Sequence, residues 1–204
     1  EQMPPGELAE YLNDYFETLA APLKHHGVHV TEFRADAIMC AWTAQEPSPD
    51  PRRKALLAAL DAEEALQDFK RRHEAAEGSL RIGLEAGEVY VGHAGGGGRF
   101  VYSIVGDTAN TASRVEGLNK HLNTQILATG DVIEGFDDIL TRYLGAFQFV
   151  GKHGGIPVHE VVALRVNATP EQLALCEAFG EAQRLCEAGD WAAAAEGFER
   201  LLGQ

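Results

Sequence analysis

"LRIGLEAGEVYVGHAGGGGRFVYSIVGD", residues 80–107, decides the architecture of this chain. Short runs rich in Val, Ile and Tyr are separated by glycine-containing breaks, so the stretch reads as strand, turn, strand, glycine-rich turn, strand. The overlapping stretch "VGDTANTASRVE", residues 105–116, changes period and opens a helix that should run to about His121, with Asp107 placed as its N-cap. Asn110 and Arg114 are four residues apart in it, one helical turn, so both side chains project toward one spot. An amide and a guanidinium there could hold a sugar and a phosphate. They could equally form an ordinary solvated helix face.

Upstream, Pro4 and Pro5 precede a helix-period run of Leu8, Tyr11, Leu12, Tyr15, Phe16, Leu19 and Leu23 that ends at Gly27. Residues 28–42, "VHVTEFRADAIMCAW", alternate on either side of Ala35–Asp36, which predicts a β-hairpin turning there. Asp50 and Pro51 then read as the N-cap and first position of a second helix. Its apolar stripe is Ala55, Ala59, Ala62, Leu66 and Phe69, with a stop at Gly78. Downstream, short strands are expected at 125–129, 146–150 and 157–163. This order predicts an α+β fold with helices on one face of a mainly antiparallel sheet, close to the split βαβ pattern.

Composition shifts after Thr169–Pro170 toward Ala, Leu and Glu. Residues 179–202, "FGEAQRLCEAGDWAAAAEGFERLL", carry Gly189–Asp190 between two helical halves and resemble one tetratricopeptide-type helical hairpin. The expected division is therefore a main domain over 1–165 and a hairpin over 170–204. A single hairpin of this kind cannot bury its own face, so it should pack on the main domain or on another repeat.

The whole chain sets outer bounds. Its 204 residues, 45% of them hydrophobic, can bury a core. A formal net charge of −14 argues against nucleic acid as a partner, because phosphate backbones call for a basic face. It says little about small anions, since a bound metal or a few local cations override the global sign. No apolar run approaches the roughly 20 residues of a membrane span, and no secretory signal opens the chain. Cys40, Cys176 and Cys186 have no metal-type spacing and read as reduced thiols of a cytoplasmic protein.

Two glycine-rich segments are set aside. "GGGG" at 95–98 lies between strands and leads into Arg99 and Phe100, whereas a dinucleotide fingerprint needs glycines that open a helix. "GAFQFVGKH" at 145–153 is one residue too long for a phosphate loop of the Walker type and lacks Ser or Thr after Lys152. The scattered histidines make no zinc spacing. Asp36 suits a hairpin turn through local backbone hydrogen bonding, and it also suits a magnesium ion, which takes carboxylate oxygens alongside phosphates.

Taken in order, "VTEFRADAIMCAW", "IGLEAGEVYVGHAGGGGRFVYSIVGDTANTASRVEGLN" and "LGAFQFVGKHGGIPVHEVV" resemble the class III adenylyl/guanylyl cyclase catalytic domain over about residues 7–163. The resemblance implies a ferredoxin-like core and a homodimer with active sites shared between protomers. It implies conversion of ATP or GTP to the 3′,5′-cyclic monophosphate and pyrophosphate with two Mg2+ or Mn2+ ions per site. By the same resemblance Asn110 orients the ribose, Arg114 stabilises charge on the α-phosphate, and Asp36 is one of two metal-binding aspartates. An upstream sensor domain is implied too, which would make this segment the cytoplasmic output end of a receptor.

Three departures accompany the resemblance. The family's other metal aspartate lies in a strand before the first helix, and is expected upstream of Glu1. The triphosphate-gripping lysine usually stands where this chain has Val150, and Lys152 could serve from the other side of Gly151. The purine-selecting pair is Glu32 and Ser103. A carboxylate accepts from guanine N1–H and the exocyclic amine, so Glu32 tilts toward GTP, while Ser103 can donate or accept and decides nothing. The competing reading is a catalytically degenerate cyclase fold that serves as a dimerisation or regulatory module.

Overall fold

Prolines set where three of the helices begin. Pro5 opens α1 (Pro5–His25), Pro51 opens α2 (Pro51–Arg72) and Pro170 opens α5 (Pro170–Glu187), all at first-turn positions where a missing N–H costs no hydrogen bond. Asp50 caps α2 as expected, accepting from the Arg52 amide at 2.9 Å. The computed structural model describes residues 4–34, 37–44, 50–73, 79–96, 99–152 and 154–202. Between and after these helices run β1 (Val30–Arg34), β2 (Ala37–Ala41), β3 (Ile82–Leu84), β4 (Tyr90–Gly96), β5 (Arg99–Val105), α3 (Asp107–Leu122), β6 (Ile126–Thr129), α4 (Gly130–Ile133), β7 (Ile139–Phe147), β8 (Ile156–Leu164) and α6 (Trp191–Leu202). The result is the expected α+β architecture of antiparallel strand pairs and helices.

The chain divides into two compact units, Glu1–Leu80 with Glu88–Ala109, and Arg81–Gly87 with Asn110–Gln204. In the first, α1 and α2 bury Leu19, Leu66 and Phe69 beneath Tyr11, Tyr15, Ile38 and Leu80. Gly27, at φ +65, ends α1 by letting the Val28 amide reach back to the Leu23 carbonyl at 3.0 Å. His26 meets Asp61 at 2.6 Å and His73 meets Asp14 at 2.7 Å, so the residue after the C-terminus of each helix is tied to the middle of the other. β1 and β2 form one antiparallel pair, with Arg34 opposite Ala37, and β4 and β5 form another.

The second unit holds a four-stranded sheet in the order β3-β6-β8-β7, antiparallel except for the β3–β6 pair. Val115 of α3, Leu127 of β6 and Val158 of β8 form its core. α5 packs on β7, one of the two edge strands, where the Arg142 guanidinium lies 4.8 Å from the centre of the Phe179 ring.

Two boundaries and one element differ from the sequence expectation. α2 stops at Arg72, and Gly78 lies outside the described residues. β7 occupies 139–147 rather than 146–150. Register shifts at Leu140/Thr141 and Tyr143/Gly145 break the period-two pattern, and Arg142 is half-buried against Glu160 at 2.6 Å, so the strand does not look like one in sequence. The short helix α4 carries no periodic signal, being only four residues long.

α3 approaches the sheet at Gly83. A Cβ on Gly83 would collide with the Glu116 backbone nitrogen and the Ala112 carbonyl oxygen, so only glycine lets strand and helix pack this closely. Asn119, fully buried, locks the same junction. Its amide donates to the Ile82 and Glu116 carbonyls at 3.0 Å each and its oxygen accepts from Thr124 Oγ1 at 2.8 Å. Gly83→Ala is therefore expected to cost about 3 kcal/mol, measured as a shift of the denaturant midpoint.

Burial also pushes the pKa of His159 on β8 below a histidine's usual range, beside the Tyr143 ring at 4.9 Å. The folded chain then resists a protonation that the unfolded chain accepts below about pH 6.5, so this contribution to stability is intact at neutral pH and lost on acidification. The unfolding free energy of the wild type should fall more steeply between about pH 6.5 and 5 than that of His159→Phe. Equal slopes in a pH series of denaturant titrations would refute the assignment.

Candidate active site

In the first unit, Glu32 lies on β1 opposite Met39, and Ser103 lies on β5 opposite Gly92. The strands bring the two side chains together, and Ser103 Oγ donates to Glu32 Oε2 at 2.9 Å. Ser103 is only 8% exposed, so the bond is shielded from competing water. A serine has one proton, and here it is committed to the carboxylate. While that bond is kept, the hydroxyl can only accept from any third group.

Beyond β5 the chain turns at Gly106 into α3. Thr108 Oγ1 donates to the Glu88 carbonyl at 2.8 Å and fixes the entry of the helix. Asp107 is the first residue of α3, one position inside the expected cap. Its carboxylate still sits in the first turn, where the helix dipole favours negative charge.

In the second unit, Thr111, Val115 and Asn119 are the buried face of α3, spaced by one turn each. Asn110 and Arg114 each precede a buried residue by one and are exposed. Arg114 Nη1 donates to the Val150 carbonyl at 2.5 Å. That carbonyl belongs to a tight turn closed by the Lys152 amide on the Phe149 carbonyl at 3.0 Å, with Gly151 at φ +79 as its third residue. Phe149 is held against the core cluster of Val115, Leu127 and Val158, so the turn is anchored. Arg114 and the turn that carries Lys152 are thus side by side, while Val150 itself points to solvent at 88% exposure.

Asp36 lies outside the described residues, as does its neighbour Ala35. Among the described residues, no group of three or more His, Cys, Asp or Glu side chains could hold a metal ion. A carboxylate is nevertheless the donor type that Mg2+ and Mn2+ take. No described helix is long and apolar enough to cross a membrane. Asn119 is not among the residues that the sequence singles out. Its signal was a polar residue at a core position of a helix whose neighbours in the stripe, Val115, Leu118 and Leu122, are apolar.

Comparison with known proteins bears on family and fold. The family model described as the adenylate and guanylate cyclase catalytic domain matches residues 1–156. Adenylate cyclase 1 of Rhizobium meliloti (strain 1021) is 32% identical over 171 residues, covering 81% of this chain and 26% of its own length. The chain thus spans about a quarter of that relative. A solved bacterial light-regulated adenylyl cyclase is 26% identical, with a TM-score of 0.63 over 78% of this chain and 80% of its own. The catalytic core of a rhodopsin-guanylyl cyclase with converted specificity, solved with ATPαS, is 29% identical, with a TM-score of 0.64 over 79% of this chain and 86% of its own.

The turn at Gly151 makes a stability test. Gly151→Val places a β-branched residue in the left-handed region and is expected to cost about 1–2 kcal/mol. Thermal unfolding measures it, and an unchanged melting temperature would show that the turn is not held as described.

Proposed function

The chain belongs to the adenylate and guanylate cyclase catalytic domain family, and from that membership we propose that it converts ATP or GTP to the 3′,5′-cyclic monophosphate and pyrophosphate. The observation that carries the proposal is Arg114, one turn after Asn110 on the exposed side of α3 and seated against the turn bearing Lys152. In the reaction the ribose 3′-oxygen attacks the α-phosphorus, the 3′-proton leaves, and the bond to pyrophosphate breaks. Negative charge builds on the α-phosphate oxygens. A planar, permanently charged guanidinium held in place by the Val150 carbonyl is suited to that charge, and it needs little reorganisation to meet it. The Asn110 amide would orient the ribose. Lys152 would hold the outer phosphates, and the Glu32–Ser103 pair would read the base.

Two divalent cations per site, Mg2+ or Mn2+, with Asp36 as one carboxylate ligand, would lower the pKa of the 3′-hydroxyl and neutralise the triphosphate. The proposed active form is a homodimer with shared sites. Residues 1–165 would be its catalytic domain and 170–204 an appended tetratricopeptide-like hairpin, with an upstream sensor in the full protein and a cytoplasmic location.

The test is turnover. With manganese and either ATP or GTP, the protein should form the corresponding cyclic nucleotide. Arg114→Ala should lower kcat about 100- to 1000-fold, the usual loss when one preorganised charge-stabilising group is removed. Asp36→Ala should abolish turnover, and Lys152→Ala should act mainly on KM. Absence of both cyclic products from the wild type, or full activity in Arg114→Ala, would overturn the proposal.

A further inference from the structure

Alternate residues of a strand share a face, and directly opposed residues of an antiparallel pair share it too. Tyr90 and Gly92 of β4 therefore lie on the same face as Val105 and Ser103 of β5, through the pairs Tyr90–Val105 and Gly92–Ser103. On that face the Tyr90 ring runs along its own strand toward Gly92. A Cβ placed on Gly92 would stand 2.6 Å from the Tyr90 hydroxyl oxygen and 2.8 Å from Cζ. The phenol is thus laid over the glycine that faces Ser103 across the pair. Opposed residues of such a pair are about 4.5–5.5 Å apart at Cα, so the phenol oxygen is within a side chain's reach of the Ser103–Glu32 bond.

Its surroundings leave this phenol accessible to a ligand. It makes no hydrogen bond among the described residues. Its residue is 61% exposed and faces Val105, itself 47% exposed, which gives an apolar wall beside a buried polar pair. On the opposite face, by contrast, Tyr102 is engaged edge-on with His93 at 5.4 Å. An apolar wall next to a small set of aligned polar groups is the chemistry that receives a planar heterocycle by its edge.

We propose that Tyr90 is a third base-reading residue, whose phenol proton supplies the donor that the Glu32–Ser103 pair lacks and so admits adenine. The proposal rests on the nucleotide-cyclase reading above. The pair alone offers only acceptors while Ser103 donates to Glu32. Those acceptors match guanine, whose N1–H and exocyclic amine both donate. Adenine presents one donor, its 6-amino group, and one acceptor, N1, so it needs an acceptor and a donor side by side. Glu32 supplies the first and Tyr90 the second. Guanine O6 can also accept from the phenol, but guanine keeps its two contacts to the carboxylate when the phenol is removed. Adenine keeps one and leaves N1 unpaired.

Tyr90→Phe retains the ring and removes only the proton donor. It is expected to lower kcat/KM for ATP about tenfold and for GTP less than about threefold, so that selectivity moves toward GTP. Equilibrium binding of 3′-deoxy-ATP and 3′-deoxy-GTP, which cannot cyclise, should show the same asymmetry. Tyr90→Ala, which removes the wall as well, should weaken both analogues. Equal losses for the two bases in Tyr90→Phe, or none, would overturn the role of Tyr90 while leaving the cyclase reading intact. If the wild type makes neither cyclic product but Tyr90→Phe selectively loses 3′-deoxy-ATP, the assignment of Tyr90 stands and the cyclase reading fails.

Discussion

The absence of one side chain, at Gly83, sets how closely α3 lies on the sheet of the second unit. With no Cβ to hold them apart, the backbone of β3 meets the backbone of α3 at Ala112 and Glu116. Asn119 then converts proximity into a fixed register by bonding the Ile82 carbonyl on one side and Thr124 on the other. Thr111 and Val115 complete the buried stripe, and the position of Asn110 and Arg114 on the exposed side follows from it. A helix held by backbone contact and a buried amide has little freedom to roll, so the guanidinium it carries arrives at Val150 without a large entropic cost of placement.

The rest of the chemistry depends on a similar economy of geometry. The Glu32–Ser103 bond joins strands that are far apart in sequence, and its burial makes the donor assignment of the serine definite rather than adaptable. Arg114 holds a carbonyl in a turn whose third residue needs a positive φ, so the lysine that follows it leaves the turn in a defined direction. A net charge of −14 does not conflict with an anionic substrate when Arg114 and the turn bearing Lys152 stand side by side, and the proposed metal ions add more positive charge.

Much of this is legible in the sequence. The strand–turn–strand–turn–strand run followed by a helix appears at the expected place, as do the hairpin strands around Ala35–Asp36 and the starts of α1, α2 and α5, while Asp107 falls inside α3 rather than at its cap. Those features rest on local chemistry: proline at first-turn positions, side-chain alternation, and the spacing of a helix stripe. β7 was misplaced because bulges erase its alternation and because the partner of Arg142 is on another strand. No window of sequence contains that partner. Asn119 was passed over for the same reason, since two of its bonds, to Ile82 and Thr124, lie outside its own helix.

The sequence by itself determined the family resemblance, the element order apart from α4 and the one-turn spacing of Asn110 and Arg114, because periodicity and residue type are properties of neighbours along the chain. Only the tertiary structure decided that Ser103 gives its proton to Glu32, that Arg114 rests on the turn bearing Lys152, and that the Tyr90 phenol lies over Gly92. Each of these is a contact in which at least one partner is chosen by strand register or helix packing. Hydrogen-bond polarity and the reach of a ring are settled by those distances, which no spacing along the chain encodes.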